Sequence, residues 1–499
     1  MTMNSEAMTM NNAPAGQTRT LPVADLVIRG KIYSDHLIEV GGRGEDFTFL
    51  TPDIRRYMDL LPLGNPVKLA DLYALSFPDI LDYLEEIGRR LDLRTNEHLR
   101  LARDLSYFTA PSTAPIVDMM YESLPSYFDP KTIREVAEHQ VGVRYLEGWV
   151  EETLEDGRRI GLRCFGSRCL HIVAGNAPVI SAQTIVRNAV MRCDAIIKAP
   201  SNDPFTALAI ARTMCEAAPD HPLTKHLSVA YWKGGDKLVE EKLYQPHHIE
   251  KITAWGGYAS VKHVAGYIQP GLELISLDPK RSVSIVGGEA LQSEAMMREA
   301  ALRIASDVGA LNQVACVNAR VIYVISGTDP DGLERLNRLG RYVYEAMLGL
   351  PEKISTKPKK YSRELKAHLD SLRFDEEWFQ VIGGEDGEGA VIVSQLPEPV
   401  GFETKLDDRT TNLVPVDGIG DIFGRVNAYT QTVGVFPESL KAKFLDILPL
   451  HGAQRFVSLG YATSYTQALP QDGIEPMRRL GKWITNEIST PETVAPPWV

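Results

Sequence analysis

The spacing of hydrophobic positions changes character near residue 160. From residue 21 to about 150, short strand-like runs alternate with amphipathic helices. Asp79 to Leu91 sets its apolar residues at helical spacing and turns Glu85, Glu86, Arg89 and Arg90 outward. Pro62, Pro66, Pro78, Pro111 and Pro115 punctuate this part, which carries no catalytic signature. Beyond 160 the pattern is strand, helix, strand. Cys169 to Ala174 predicts a short strand ending in Gly175-Asn176-Ala177-Pro178, and Ala182 to Met191 a helix. Ala195 to Lys198 predicts a second strand. Pro204 opens a helix reaching about Ala217, with proline near the first turn, where its missing N–H costs nothing. Leu227 to Trp232 and Lys251 to Trp255 predict two more strands, the latter followed by Gly256-Gly257 and a helix from about Tyr258.

This alternation predicts an α/β fold with an open parallel sheet covered by helices on both faces. Ligands bind such sheets beyond the carboxyl ends of strands. Asn176, Lys198 and Gly256 all fall at such ends. A second unit begins near Ser282, with a strand over Val283 to Val286, a Gly287-Gly288 turn and a helix over Ser293 to Val308. Cys316 follows in a loop before a strand at Val321 to Ile325. Gly383 to Gly389 reads as a surface turn whose Glu and Asp content argues against a phosphate cradle. Gln395 to Val400, with Pro397 and Pro399, reads as an exposed loop, and no internal repeat is visible.

Composition narrows the function. The chain has 499 residues, 44% hydrophobic and 24% charged, as in an ordinary globular protein of two to four domains. A net charge of −12 and the absence of a Lys/Arg block exclude the basic stripe that nucleic acid requires. No window approaches the ~18 apolar residues of a membrane span, and the first residues lack a signal-peptide pattern. Residues 1–19 read as a disordered tail, and the expected location is cytoplasmic. The five cysteines (164, 169, 193, 215 and 316) are odd in number and sparse, which argues against a disulfide framework. No His/Cys set has zinc-site spacing, so no metal is expected.

Four segments carry candidate chemistry, each weak alone. Cys316 closes Asn312-Gln313-Val314-Ala315-Cys316. A thiolate attacks thioesters readily and leaves as readily, although a buried structural cysteine is the commoner fate of a free thiol. A working nucleophile is expected to be reachable and low in pKa. Asn176, at a strand-to-turn junction, is either a simple turn residue or a donor to the oxygen that turns negative, with the Cys316 N–H as the other. Lys198 is either a solvated strand end or a donor to the adenosine ribose of a dinucleotide. Gly256-Gly257 is either a tight turn or the approach of a pyrophosphate to a helix N-terminus. No Gly-x-Gly-x-x-Gly fingerprint accompanies it.

In this order the segments resemble the aldehyde dehydrogenase superfamily. Asn312-Gln313-x-x-Cys316 is similar to its nucleophile motif, and Gly175-Asn176-Ala177-Pro178 to its oxyanion Asn before Pro. Lys198 to Pro204 is similar to its Lys-Pro-x-x-x-x-Pro cofactor segment, and Trp255-Gly256-Gly257 stands where that family has its Gly-Ser phosphate turn. Within the superfamily the chain resembles LuxC-type acyl-CoA reductases, the fatty-acid reductases of bacterial luminescence. The resemblance spans about 165 to 485. It rests on Ile196 to Ala207, Ala254 to Gly257, Thr430-Gln431-Thr432-Val433-Gly434-Val435 and the tail from Asp472-Gly473 to Trp483.

The resemblance implies an aldehyde dehydrogenase-like architecture: an NADP-binding domain with N-terminal extension over 20–285, a catalytic domain over 286–465, and a segment over 466–499 that packs back or bridges subunits. It implies reduction of a long-chain acyl-CoA or acyl-protein thioester to aldehyde through an acyl-Cys316, with Asn176 as oxyanion donor. Lys198, Ser201, Trp255, Gly256 and Gly257 would hold the cofactor. A homo-oligomer and an acyl-protein synthetase partner are further implications.

Two departures from the superfamily matter. Hydrolytic relatives carry Glu-Leu-Gly-Gly-Lys, whose Glu activates water. Here Ser276-Leu277-Asp278-Pro279-Lys280 stands in its place, with Glu273 as the fallback base. Losing a positioned base, worth ~10²–10⁴ in rate, spares an acyl-cysteine for hydride. Ser201 stands where NAD-preferring relatives often hold Glu, so NADPH is expected to be preferred and NADH possible. Asp421 to Val426 echoes the segment that holds the nicotinamide ribose but comes too late in the chain, so it reads as a helix start. The true counterpart is expected within 402–409. An oxidative aldehyde dehydrogenase and a catalytically idle scaffold are the open alternatives.

Overall fold

The computed structural model describes residues 21–41 and 47–498. The expected tail, residues 1–19, lies outside them. Two seven-stranded sheets organise the chain. The first runs, in spatial order, Glu273–Leu277, Lys251–Trp255, Arg168–Ile172, Asp194–Lys198, Leu227–Ala230, Leu26–Ile28 and Lys31–Tyr33. Its first five strands are parallel, and a short antiparallel hairpin forms the far edge. Strand order reverses beside Arg168–Ile172: the chain builds outward to Leu227–Ala230, then returns to place Lys251–Trp255 on the other side. Such a reversal opens a crevice at the carboxyl ends.

The second sheet runs Phe379–Gly383, Ala390–Ser394, Thr410–Pro415, Ala319–Val324, Arg281–Val286, Thr430–Phe436 and Arg455–Ser458. Only Phe379–Gly383 is antiparallel. Asp278 to Lys280 alone connect the last strand of the first sheet to Arg281–Val286. The chain therefore leaves one sheet at a carboxyl end and enters the other at an amino end, so one cleft sees both.

Local chemistry explains where the sequence pattern misleads. The strand-like runs expected up to 150 form only as far as Thr48–Pro52; from Ile54 to Glu147 the chain is helical. Helical spacing wins because Ile80, Leu84 and Ile87 make one fully buried stripe, and Ser76 and Asp79 close a reciprocal capping box. The helix expected from Pro204 starts at Thr206. Asp203 sets that start, accepting from the Thr206 N–H at 3.1 Å and its hydroxyl at 2.6 Å. The strand expected to reach Trp232 stops at Ala230, and Tyr231 and Trp232 turn their rings toward Lys198.

The glycine-rich turn after Phe379–Gly383 is filled by its own chain. Glu388 accepts from the N–H groups of Gly384, Glu385 and Asp386. Near the C-terminus, Gly481–Ile488 pairs antiparallel along Arg159–Gly166, and with Val150–Thr153 they form a separate three-stranded sheet.

Candidate active site

The loop carrying Cys316 begins where the helix Glu294–Gly309 ends. Leu311, Asn312 and Gln313 take φ of 56°, 53° and 64°, three consecutive non-glycine residues in the left-handed region. That conformation is costly and persists only where the surroundings over-determine it. Here they do. The Asn312 amide holds Thr356, accepting from its N–H at 2.7 Å and donating to its hydroxyl at 3.1 Å. Gln313, fully buried, acts as an extra ladder rung between two strand starts. It donates to Ala319 O at 3.0 Å and Thr410 O at 2.9 Å, and accepts from Thr410 N at 2.9 Å. Asn318 donates to Asp307 O and Ala310 O and accepts from Ala315 N, all at 3.0 Å. The Arg320 guanidinium clamps both flanks of the loop, at Gln313 O (2.9 Å) and Asn318 O (2.8 Å). Cys316 sits inside this frame, its carbonyl accepting from the Ser282 hydroxyl at 2.8 Å.

Asn176 reaches the same loop from the first sheet. Its Nδ2 donates to Val314 O at 3.3 Å, while its Oδ1 is buried without a partner. The turn that presents it needs Gly175. A Cβ there would meet Asn202 Oδ1 at 2.1 Å, and Asn202 itself donates to Gly175 O at 2.9 Å.

Between the carboxyl ends of the first sheet and the amino ends of the second lies a cavity of about 990 Å³. Asn176, Lys198, Ser201, Trp255, Gly256, Gly257 and Cys316 all line it. The sequence-named residues are thus brought to one place from four separate segments. Lys198 is buried over the Trp232 and Tyr231 rings, at 5.6 and 6.0 Å from their centroids, with no hydrogen-bond acceptor among the described residues. Burial pushes its amine down to about 8. Gly257 precedes the helix Tyr258–Ala265, whose start has no side-chain cap, and a Cβ on Gly257 would meet nothing within 4 Å. An unsatisfied amine and free helix N–H groups on one wall suit a ribose and a pyrophosphate.

Two expectations are corrected. Burial, and next the nearby Asp472 carboxyl, push the Cys316 thiol above its ordinary value, outweighing Gln431 and Arg320, which pull it down. The resting thiol is therefore not low in pKa. Glu273 does not line the cavity. It opens its strand at the amino end and pairs with Lys251 at 2.9 Å and Arg479 at 2.6 Å. The segment Asp421 to Val426, expected to start a helix, does form a short one, Gly420–Phe423, and Arg425 just beyond it lines the cavity.

Sequence reasoning also missed Arg281, Arg320 and Glu403 in the lining. Glu403 lies within the 402–409 window assigned to the ribose-holding counterpart, in a single turn, Glu403–Lys405, that no periodicity reveals. Burial pushes its carboxyl up while Arg425 and Arg281 pull it down.

Residues 72–483 match the family model described as acyl-CoA reductase (LuxC). The chain belongs to the LuxC family of acyl-CoA reductases. Among LuxC relatives, the long-chain acyl-protein thioester reductase of Photobacterium phosphoreum is 26% identical over 423 residues, covering 83% of this chain and 81% of its own. That of Photorhabdus laumondii is 26% identical over 472 residues, covering 91% and 90%. Solved structures extend the likeness to the aldehyde dehydrogenase fold. Aldehyde dehydrogenase 21 of Physcomitrella patens superposes with a TM-score of 0.72 at 12% identity, covering 94% of this chain and 98% of its own. The NADP-dependent glyceraldehyde-3-phosphate dehydrogenase of Bacillus halodurans gives 0.71 at 11% identity, covering 94% and 99%. The LuxC chain is thus an oxidoreductase of aldehyde dehydrogenase-like α/β fold. Among its described residues, no helix is long and apolar enough to cross a membrane.

Proposed function

We propose that this protein reduces a long-chain acyl thioester, carried by CoA or by a protein, to the aldehyde, with NADPH as preferred reductant and Cys316 as acyl carrier. The observation that carries the reading is the meeting of Asn176 with the Cys316 loop in the cavity that also holds Lys198 and Gly257. In the first half-reaction the Cys316 thiolate attacks the acyl carbonyl. Asn176 Nδ2 leaves Val314 O and, with the Cys316 N–H, stabilises the oxyanion. The donor thiolate departs with a proton, leaving acyl-Cys316. A bound nicotinamide dinucleotide supplies hydride. The resulting oxyanion is again held by Asn176, and its collapse returns the electron pair to sulfur and frees the aldehyde.

Lys198, Ser201 and Trp255-Gly256-Gly257 would hold the dinucleotide, with Glu403 at the nicotinamide ribose. Ser201 carries no charge to repel a 2′-phosphate, which favours NADPH over NADH. In this reading 20–285 binds cofactor, 286–465 carries the nucleophile, and 466–499 packs back on both. The engagement of Glu273 by Lys251 and Arg479 supports reduction over hydrolytic oxidation. The relatives' names favour a protein-bound acyl donor, and with it a synthetase partner. Homo-oligomerisation belongs to the same reading, supported by the exposed Trp149, Leu154, Ile484 and Ile488 on and beside the three-stranded sheet. The decisive test is labelled acyl-CoA without cofactor, then with NADPH. Label should appear on the Cys316 peptide and leave as aldehyde. Turnover persisting in Cys316→Ser would defeat the reading.

A further inference from the structure

The cavity wall around Lys198 is backed by a carboxylate that the steps above do not use. Glu240, on the helix Lys237–Leu243, is only 1% exposed. A carboxylate is costly to bury unless it is paired and hydrogen-bonded. This one is held from two sides. Its Oε1 accepts from the Gly235 N–H at 3.0 Å. Its Oε2 accepts from His263 Nε2 at 2.6 Å and from the Tyr267 hydroxyl at 3.2 Å.

Both sides belong to the cavity. Gly234 lines it, and Gly235 follows with φ of 86°, in the left-handed region open to glycine, its N–H spent on Glu240. This turn continues the strand Leu227–Ala230 past Tyr231 and Trp232, whose rings face Lys198. His263 lies on the helix Tyr258–Ala265, and Tyr267 just beyond it. Tyr258 and Ser260 of that helix line the cavity too. The helix follows the strand Lys251–Trp255, which two other strands separate from Leu227–Ala230 in the sheet. Strand pairing therefore does not join the two walls directly, and Glu240 bonds both.

We propose that Glu240, with His263, is a positioning residue for the dinucleotide, tying the Gly234-Gly235 turn to the helix Tyr258–Ala265 so that the nucleotide meets a wall already set. The proposal rests on NADPH occupying this cavity beside Lys198. Neither Glu240 nor His263 lines the cavity, so both act through what they hold. A wall set in advance spares the ligand the cost of ordering it. The buried charge has a second consequence. Burial pushes the Lys198 amine down, and Glu240 pushes it back up, toward the cation that suits an anionic ligand. Tyr244 and Tyr267 also feel Glu240, but burial raises both phenols and Glu240 adds to it, so they stay neutral.

The test pairs fluorescence-titrated NADPH Kd with cofactor-free acylation of Cys316 by labelled acyl-CoA. His263→Leu cuts the tie at its part-exposed end and leaves Gly235 bonded. It should weaken NADPH binding about tenfold, the low end for a hydrogen bond to a charged group. KM for NADPH should rise, with kcat and the acylation rate as in wild type. His263→Gln, whose amide N–H can reach the carboxylate, should restore most of the loss. Glu240→Gln keeps an acceptor for Gly235 N and removes the charge. The Lys198 amine should then fall further, so NADPH affinity should be lost at lower pH than in wild type. Wild-type affinity in His263→Leu, even with a lower unfolding midpoint, overturns the tie and leaves the pair a structural brace. A loss in His263→Gln as large as in His263→Leu overturns it too. A Glu240→Gln pH profile that overlays wild type overturns the charge effect. Unchanged NADPH affinity in Lys198→Ala instead removes the dinucleotide from this wall, and with it the functional reading on which the tie depends.

Discussion

At the scale of single residues, two side chains meet the cavity with unspent bonding capacity. Asn176 spends its Nδ2 on a 3.3 Å bond to Val314 O and leaves Oδ1 buried and unpaired. Most buried side-chain polar atoms are paired, so an open acceptor and a long bond on a cavity wall leave this amide free to turn to substrate. Asn176→Ala should therefore lower acyl transfer to Cys316 by roughly 10²–10³-fold, the usual worth of one oxyanion donor. Its unfolding midpoint should move little, because a long bond is lost together with an unpaired oxygen. Single-turnover acylation beside a thermal melt separates the two. Lys198 gives a pH signature. Its amine, pushed down to about 8 by burial, is charged below that pH and neutral above it. The charged form is the one that favours an anionic dinucleotide, so NADPH affinity should fall as pH rises through 8. Bound NADPH shifts the loss to higher pH by favouring the cation. Lys198→Arg, charged throughout, should flatten the profile of fluorescence-titrated Kd between pH 7 and 9. An equally steep profile in that variant would remove Lys198 from the cofactor site.

At the scale of elements, the nucleophile's position is built by residues that never touch substrate. Gln313→Leu would take the side-chain donor from Thr410 O and Ala319 O in a fully buried place, while Thr410 N keeps Asp407 O at 3.0 Å. Each unpaired group costs about 1–3 kcal/mol, so urea unfolding should show a loss of at least about 2 kcal/mol, with acylation falling as the loop loosens. The sequence made this much legible: Asn312-Gln313-x-x-Cys316 marked the loop, and Lys251–Trp255 matched its strand residue for residue. What stayed hidden has physical causes. Glu273 looked close enough in sequence to serve as a base, but strand direction decides, and it opens its strand at the end away from the cavity. Glu403 sits in one turn too short for any period. Gln431 and Asp472 lay inside quoted motifs, yet 40 residues separate them along the chain, and only tertiary packing discloses their bond.

At the scale of the molecule, the C-terminal segment ties the first helical region to the chemistry. Gln140, buried on the helix Pro130–Gln140, spends its whole amide on that segment. Nε2 donates to Gln467 O at 3.2 Å and Leu469 O at 3.4 Å, and Oε1 accepts from Met477 N at 3.1 Å. Between these anchors lies Asp472, held further by Arg187 donating to Gln471 at 3.1 Å. The strand Gly481–Ile488 is secured separately by its ladder to Arg159–Gly166. Gln140→Leu keeps the helix packing but frees the span 467–477. Hydrogen exchange should rise at Met477 N and across that span while 481–488 keeps its protection, because local opening follows the bonds actually lost. Asp472, within this span, bonds Gln431 on the strand that Ser282 ties to Cys316, so acyl transfer to Cys316 should fall in the same variant although no residue near the sulfur has changed. Faster exchange with undiminished acylation would show the segment to be a strap alone. Slower acylation with unchanged exchange would mean that Gln140 reaches the site by another route.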